Sequence, residues 1–390
     1  MLSIFTRARK SLGHAAIALS ALALAACEPV TTANQGPAAS RGQAVQVALL
    51  VPAGSGRSND DDLARGLENA ARLAIRDLGA NTIDLKVYRT SGQASVAAQQ
   101  ARLAVQEGAQ VILGPVFAAE ANAVGNAVAP QGINVLAFSN NTSVAGGNVY
   151  VLGQTFENTA RRLAGYAAGN NAGRVMTVYD RTAAGEAGRT AIASGARQAG
   201  ATVVGEEGYD FSQNGIRNAV PGIATRTQEA GANSVFLTAD SAGALPMISQ
   251  SLRDAGLGQD MVQFMGLTRW DIPTQTISLP GVQGGWFAQP DPGPWQQYTA
   301  RYSQTYGGAP HPISGLAYDG IAAIGALAKS GRPITQANLT QASGFTGTGG
   351  AFRLLTNGTN ERALAIAQIS NNQVRVIDPA PRSFSRGFGF

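Results

Sequence analysis

The chain has 390 residues, a formal net charge of +5, 44% apolar residues, one cysteine and two histidines. A single cysteine excludes an internal disulfide, and so few His and Cys residues argue against a metal site built from those ligands. The length exceeds one typical domain, and no basic run interleaved with aromatic residues supports nucleic-acid binding.

The N-terminal stretch reads as a removable address. Arg7, Arg9 and Lys10 precede an uncharged apolar segment, Ala15–Ala26, too short to span a bilayer comfortably. Residues 1–26 are therefore expected to be a signal peptide. Removing them leaves 26 basic against 24 acidic residues, or +2, so most of the apparent basicity belongs to the leader. Residues 27–43, rich in Pro, Thr, Ala and Gly, read as a flexible tether.

From Ala44 onward strands alternate with helices. Val45–Val51 is an apolar run of strand length. Asp61–Leu78 places Leu63, Leu67, Ala70, Ala71, Ala74, Ile75 and Leu78 at helical spacing. Ile83, Leu85 and Val87 alternate as in a half-buried strand, and Ser95–Gly108 is an alanine-rich helix. Gln110–Leu113, a helix around Glu120–Ala129, Asn134–Phe138 and Val149–Gln154 follow.

A second series repeats the plan. It has strands at Arg174–Tyr179, Ala201–Gly205, Ser234–Thr238, Val262–Met265 and Gly284–Ala288. The helices between them are Glu157–Gly169 (before the first strand), Glu186–Ala199, Gly215–Glu229 broken at Pro221-Gly222, and Gly243–Ala255. Pro294–Tyr306 and Ser314–Lys329 are two helices in succession. Gly349–Leu355, Ala363–Ser370 and Val374–Ile377, separated by turns rich in Asn and Gly, suggest an antiparallel meander. Residues 379–390 show no periodicity and are expected to be loose.

Alternating strands and helices call for parallel sheets covered on both faces, with ligands beyond the carboxyl ends of the strands. In the first series those ends are the loops Pro52–Asp60, Thr90–Gln93, Pro115–Ala119 and Ser139–Gly147. They supply the candidate ligand contacts Ser55, Gly56, Phe117, Ala118, Ser139, Asn140, Asn141 and Thr142.

No catalytic constellation is legible. His311 lies between Pro310 and Pro312, and no G-x-S-x-G elbow accompanies it. Gly54-Ser55-Gly56 lacks the remainder of a phosphate loop. Asp60-Asp61-Asp62 sits where acids complement a helix N-terminus. No enzyme activity, cofactor or metal is expected.

Several stretches resemble the type 1 periplasmic binding proteins: VALLVPAGSG, GAQVILGPVFAAEA, INVLAFSNNTSVAG, QFMG, AYDGIAAIGALAKSG and FTGTGGAFRLLTNG. The resemblance covers residues 44–378. It implies an α/β fold of two doubly wound parallel-sheet lobes with three crossover strands. Residues 44–151 plus 286–335 are expected to form the first lobe, and 152–285 plus 336–378 the second. Leu24-Ala25-Ala26-Cys27 resembles a lipobox, which implies lipidation at Cys27 and anchoring to a membrane facing the periplasm. Glu28 after the cysteine favours the outer membrane.

Two branches of the family compete. GPVFA, LAFSNN and VAGGNVYVLG resemble the lipoproteins that activate penicillin-binding proteins, which implies a murein synthase as partner, contacted through a lobe surface. The alternative is the substrate-binding lipoprotein of a branched-chain-amino-acid-type ABC transporter, holding a small polar ligand. Against the receptor pattern, the usual serine falls at Ala118, a threonine is kept at Thr142, the tyrosine falls at Ala184 and the glutamate falls near Thr268. An ammonium buried without an acid costs several kcal/mol, so free amino acids are poor ligands on this pattern. Tyr209, Asp240 and Thr268 in the second lobe, with Arg269, remain as candidates for a different polar site. Trp270, Trp286 and Trp295 are available either for core packing or as anchors for a partner.

Overall fold

The computed structural model describes residues 44–79 and 81–384. The expected leader, the lipidation site Cys27, the tether and the last six residues of the tail lie outside the described residues.

The first sheet is built from β1 (Val45–Val51), β2 (Ile83–Arg89), β3 (Val111–Leu113), β4 (Asn134–Ala137) and β5 (Val149–Val151). All pairs are parallel, in the order β2-β1-β3-β4-β5. Helices α1 (Ser58–Leu78), α2 (Ala94–Gln106) and α3 (Ala118–Val128) connect them. The pleat divides β1 between two cores. Val47, Leu49 and Val51 pack with Leu67 of α1, while Ala48 and Leu50 pack with Ala97 of α2 and Val124 of α3. Strand order reverses between β1 and β3, which opens a crevice at their carboxyl ends. Gly114 closes β3 there at φ +90°. A Cβ would lie 2.4 Å from the Leu50 carbonyl oxygen, so only glycine admits this approach of the two strands.

The second sheet begins after α4 (Phe156–Gly169), whose Thr155–Asn158 capping box satisfies its first amides. Strands β6 (Arg174–Asp180), β7 (Thr202–Tyr209), β8 (Ser234–Leu237), β9 (Gln263–Gly266) and β10 (Trp286–Pro290) are parallel. Helices α5 (Ala183–Gln198), α6 (Gln213–Glu229) and α7 (Leu245–Asp254) cover them. Trp270 is fully buried against the α6–α7 face, and Trp286 packs edge-on to Tyr166 with ring centroids 5.0 Å apart.

The chain then returns to the first core. Helices α8 (Pro292–Tyr306), α9 (Gly315–Lys329) and α10 (Gln336–Leu339) carry Tyr298, Tyr302, Ile321, Ile324 and Leu339 into it. A small antiparallel sheet, β11 (Phe345–Gly347), β12 (Gly350–Leu354) and β13 (Asn360–Arg362), adds Phe345, Phe352 and Leu354. Strands β14 (Leu364–Ser370) and β15 (Gln373–Asp378) complete the second sheet antiparallel, in the order β15-β14-β10-β9-β8-β6-β7.

Four expectations are corrected here. Trp286–Pro290 belongs to the second sheet and residues 336–362 to the first core, so the chain crosses at 290–291 and 362–364 rather than at 285 and 335. An apolar strand such as GGWFA fits either sheet by composition, and only its hydrogen-bond partners decide. The terminal meander is split: β12 pairs with β13 in one sheet, and β14 with β15 in another. Helix α6 is continuous through Pro221. Its apolar face, Ile216, Val220, Ile223 and Ala224, is buried, and Pro221 and the Arg217 carbonyl it leaves unbonded lie on the exposed side, where water can serve. Residues 379–384 are docked rather than loose: Ala380 is buried and the Arg353 guanidinium lies 4.9 Å from the Phe384 ring centroid. A contact so distant in sequence leaves no periodic trace.

Candidate ligand-binding cleft

A cleft of about 580 Å³ opens between the two sheets at the carboxyl ends of β3 and β4, beside all three passages of the chain between them. This is where the strand order of the first sheet places a ligand site. Its volume falls within the range of small-molecule pockets.

Of the residues singled out from sequence, Phe117, Ala118, Ser139, Asn140 and Asn141 line the cleft. The others stand away from its wall. The Ser55 hydroxyl accepts the Arg57 amide at 3.1 Å, and Gly56 turns the same loop at φ +80°. Thr142 opens a 3₁₀ turn, Thr142–Val144, capped by Asn141. Tyr209 is buried in the second lobe with its hydroxyl unpartnered. Burial, with the carboxylates of Asp180 and Asp240 nearby, pushes its phenol well above the usual value. Asp240 is exposed, and the Thr268 hydroxyl is buried without a hydrogen bond.

Sequence reasoning missed the charged floor. Asp319 on α9 is 1% exposed. Its Oδ1 accepts the Thr348 amide at 2.6 Å and the Thr348 hydroxyl at 3.0 Å, and its Oδ2 accepts Arg362 Nη1 at 2.9 Å. Arg362 also donates through Nε and Nη2 to the Leu152 carbonyl, at 2.9 and 2.6 Å, and its guanidinium lies 5.1 Å from the Phe352 ring centroid. Gly347 leaves the space this carboxylate needs, since a Cβ there would sit 2.3 Å from Asp319 Oδ1. One signal was available: Asp319 is the only acid in the apolar run Gly315–Lys329.

The second lobe contributes Arg269 and Ile272 to the cleft. Arg269 is held by both carboxylate oxygens of Asp271, with Nε to Oδ1 at 2.9 Å. The three ionisable side chains on the wall are thus engaged within the protein. The remaining wall combines neutral polar side chains, Asn140, Asn141 and Gln154 among them, with apolar and aromatic ones, Phe138, Trp295, Ile313 and Leu316 beside Phe117. Trp295 begins an aromatic ladder along α8: centroid separations are 5.4 Å to Tyr298, then 5.9 Å to Tyr302 and 5.0 Å to Tyr306. Next to this wall, His311 accepts the Ile313 amide through Nδ1, and burial lowers its pKa against the pull of Asp62. Among the described residues no group of three or more His, Cys, Asp or Glu is placed to hold a metal ion.

No curated protein matches the chain. Solved structures do. One from Rhodospirillum rubrum, described as a branched-chain amino acid ABC transporter, aligns at 18% identity over 86% of this chain and 100% of its own, with a TM-score of 0.72. An ABC transporter substrate-binding protein from Desulfitobacterium hafniense, in complex with Leu, aligns at 17% identity over 86% and 100%, with a TM-score of 0.62. A solute binding protein of an ABC transporter from Rhodopseudomonas palustris, in complex with 3,4-dihydroxy benzoic acid, aligns at 16% identity over 89% and 99%, with a TM-score of 0.57. At these identities the likeness is one of fold, two lobes of parallel sheet. The family model described as periplasmic binding protein matches residues 44–373. That span takes in the first sheet, all of the second sheet but its last strand, β15, and every residue of the cleft: the chain belongs to the periplasmic binding protein family, whose members act in the periplasm by binding rather than by transforming what they bind.

Proposed function

We propose that the protein is the solute-binding component of an ABC-type transport system, taking one small molecule between its lobes. The observation that carries this reading is the position of the cleft. It lies at the switch point of the first sheet, and residues of both lobes and of all three passages reach it. A ligand there touches the parts that must rotate for the lobes to close. The fold relatives in ABC transport support the same reading. A murein synthase as partner, the role implied first by the sequence resemblance, draws no support from those relatives or from the cleft. A lipid on Cys27 would tether the body to a membrane facing the periplasm, where such a component meets its solute.

The test is direct. The full chain, purified from its own envelope and denatured, should release one small molecule in stoichiometric amount, and deletion of the gene should abolish uptake of that molecule. A ligand-free preparation together with unchanged uptake of every solute tested would sink the reading.

A further inference from the structure

Within the solute-binding reading, the geometry points to a ligand class: an uncharged molecule with a flat aromatic body and amide- or hydroxyl-type hydrogen-bonding groups, not a free amino acid. Three observations converge on it.

The first is charge. Arg269, Asp319 and Arg362 are the ionisable side chains on the wall, and each is already paired, Arg269 with Asp271 and Asp319 with Arg362. An ammonium entering the cleft meets no open carboxylate, and a carboxylate meets only guanidinium groups whose charge is already balanced, Arg269 by Asp271 and Arg362 by Asp319. A charge moved from water to such a place loses its hydration without compensation. Opening either pair to receive the ligand would strand the other partner. Asp240, the acid of the second lobe named from the sequence, does not line the cleft.

The second is shape and surface. Phe117, Phe138 and Trp295 offer three aromatic groups, with Ile272, Ile313 and Leu316 filling between them. Flat rings stack or meet edge-on with such walls. The third is the free hydrogen-bonding capacity, and it is neutral throughout. The exposed Asn140 amide makes no hydrogen bond among the described residues. Gln154 uses only its Nε2, donating to the Thr159 hydroxyl at 2.9 Å, so its Oε1 remains to accept. Amides supply both donors and acceptors and so match an uncharged polar group.

Calorimetric titration of the full chain with four probes that share an indole body isolates charge from shape. They are indole-3-acetamide (neutral), indole-3-acetate (anion), tryptamine (cation) and tryptophan (zwitterion). The amide should bind at least about tenfold more tightly than each charged probe. Trp295→Ala should weaken it about tenfold or more, as should Asn140→Ala, a solvent-facing change that spares the fold. Asp240→Asn should leave it unchanged. A charged probe that equals or surpasses the amide overturns the class but, if Trp295→Ala still weakens it, leaves the solute-binding reading standing. No binding by any of the four up to about 10 mM also overturns the class. Release of a native small molecule then decides the solute-binding reading separately.

Discussion

The chain passes between its two sheets three times, and the passages are built differently. The first, at residues 152–155, and the third, at 362–364 with β13 leading into it, run side by side and are stitched by side chains. Asn360 Nδ2 donates to the carbonyls of Val151 and Gly153, each at 2.8 Å, and Asn158 Nδ2 donates to the Asn360 carbonyl at 2.8 Å. Arg362 adds its two bonds to Leu152, and Arg162 Nε donates to the Leu364 carbonyl at 2.8 Å. Between these residues Glu361 is held by Arg161 of α4 and Arg353 of β12, an ion-pair link from one lobe to the other. The second passage, Pro290-Asp291, has none of this. Its link is the Asp291 amide bonded to the Gly349 carbonyl at 2.9 Å, and its carboxylate is spent capping α8 at the Gly293 amide, 3.0 Å away. Buried side-chain bonds to backbone make two passages into one ribbon, so lobe rotation should pivot on that ribbon while the second passage absorbs the change in backbone angles.

Removing the buried carboxylate of α9 that holds Arg362 of this ribbon should have the largest effect. Asp319→Ala leaves Arg362 uncompensated and should cost about 3–5 kcal/mol in chemical unfolding, while the joint change Asp319→Leu with Arg362→Met should cost far less. A loss below about 1 kcal/mol in the single variant would mean that the pair does not hold the floor. Asn360→Ala strands two carbonyls and should cost about 1–3 kcal/mol, with faster amide exchange at residues 152–154. Stability unchanged there would dissolve the distinction between the passages.

Glu361 gives a pH-dependent version of the same test. Burial would raise its pKa, but Arg353 and Arg161 outweigh burial and hold it below its ordinary 4.5. A lowered carboxylate pKa gives stability that is complete above the ordinary value and lost as acid carries the pH beneath it. Glu361→Gln should therefore be less stable than the wild type by about 1–2 kcal/mol at pH 7, and the difference should shrink as the pH falls below the ordinary 4.5 and vanish beneath the lowered pKa. A constant difference across that range would contradict the pairing. The smallest effect belongs to the second passage. Asp291→Ala removes a helix cap, should cost about 1 kcal/mol, and should leave exchange in the other two passages untouched.

The sequence carried the parallel lobes well, because long strands such as Val45–Val51 and helices such as Ser58–Leu78 announce themselves by period alone. The cleft wall of the first lobe followed, since the topology obliges loops such as Pro115–Phe117 and Ser139–Asn141 to gather at one rim. What stayed hidden depends on contacts distant in the chain. Asp319 and Arg362 are 43 positions apart, and Arg161 and Glu361 are 200 apart. Neither spacing belongs to any repeat. The lobe assignment of Trp286–Pro290 failed for a related reason: a short apolar strand does not record which neighbour it will hydrogen-bond. Thr268 comes from likeness to a receptor pattern, and Tyr209 and Asp240 from the expectation of a different polar site; all three stand off the wall, whereas Arg269, named with them, lines it.

Trp295 has a consequence in optical terms. The chain holds three tryptophans. Trp270 and Trp286 sit in dry cores at 0% and 9% exposure, so their emission should be blue and indifferent to what the cleft contains. Trp295 alone faces the cleft, partly exposed, at the head of a file of three tyrosines, each ring within 6 Å of the next, which can pass excitation to it. The solvent-sensitive part of the protein's ultraviolet fluorescence therefore originates at the ligand wall, and occupancy can be followed by emission wavelength without any attached dye.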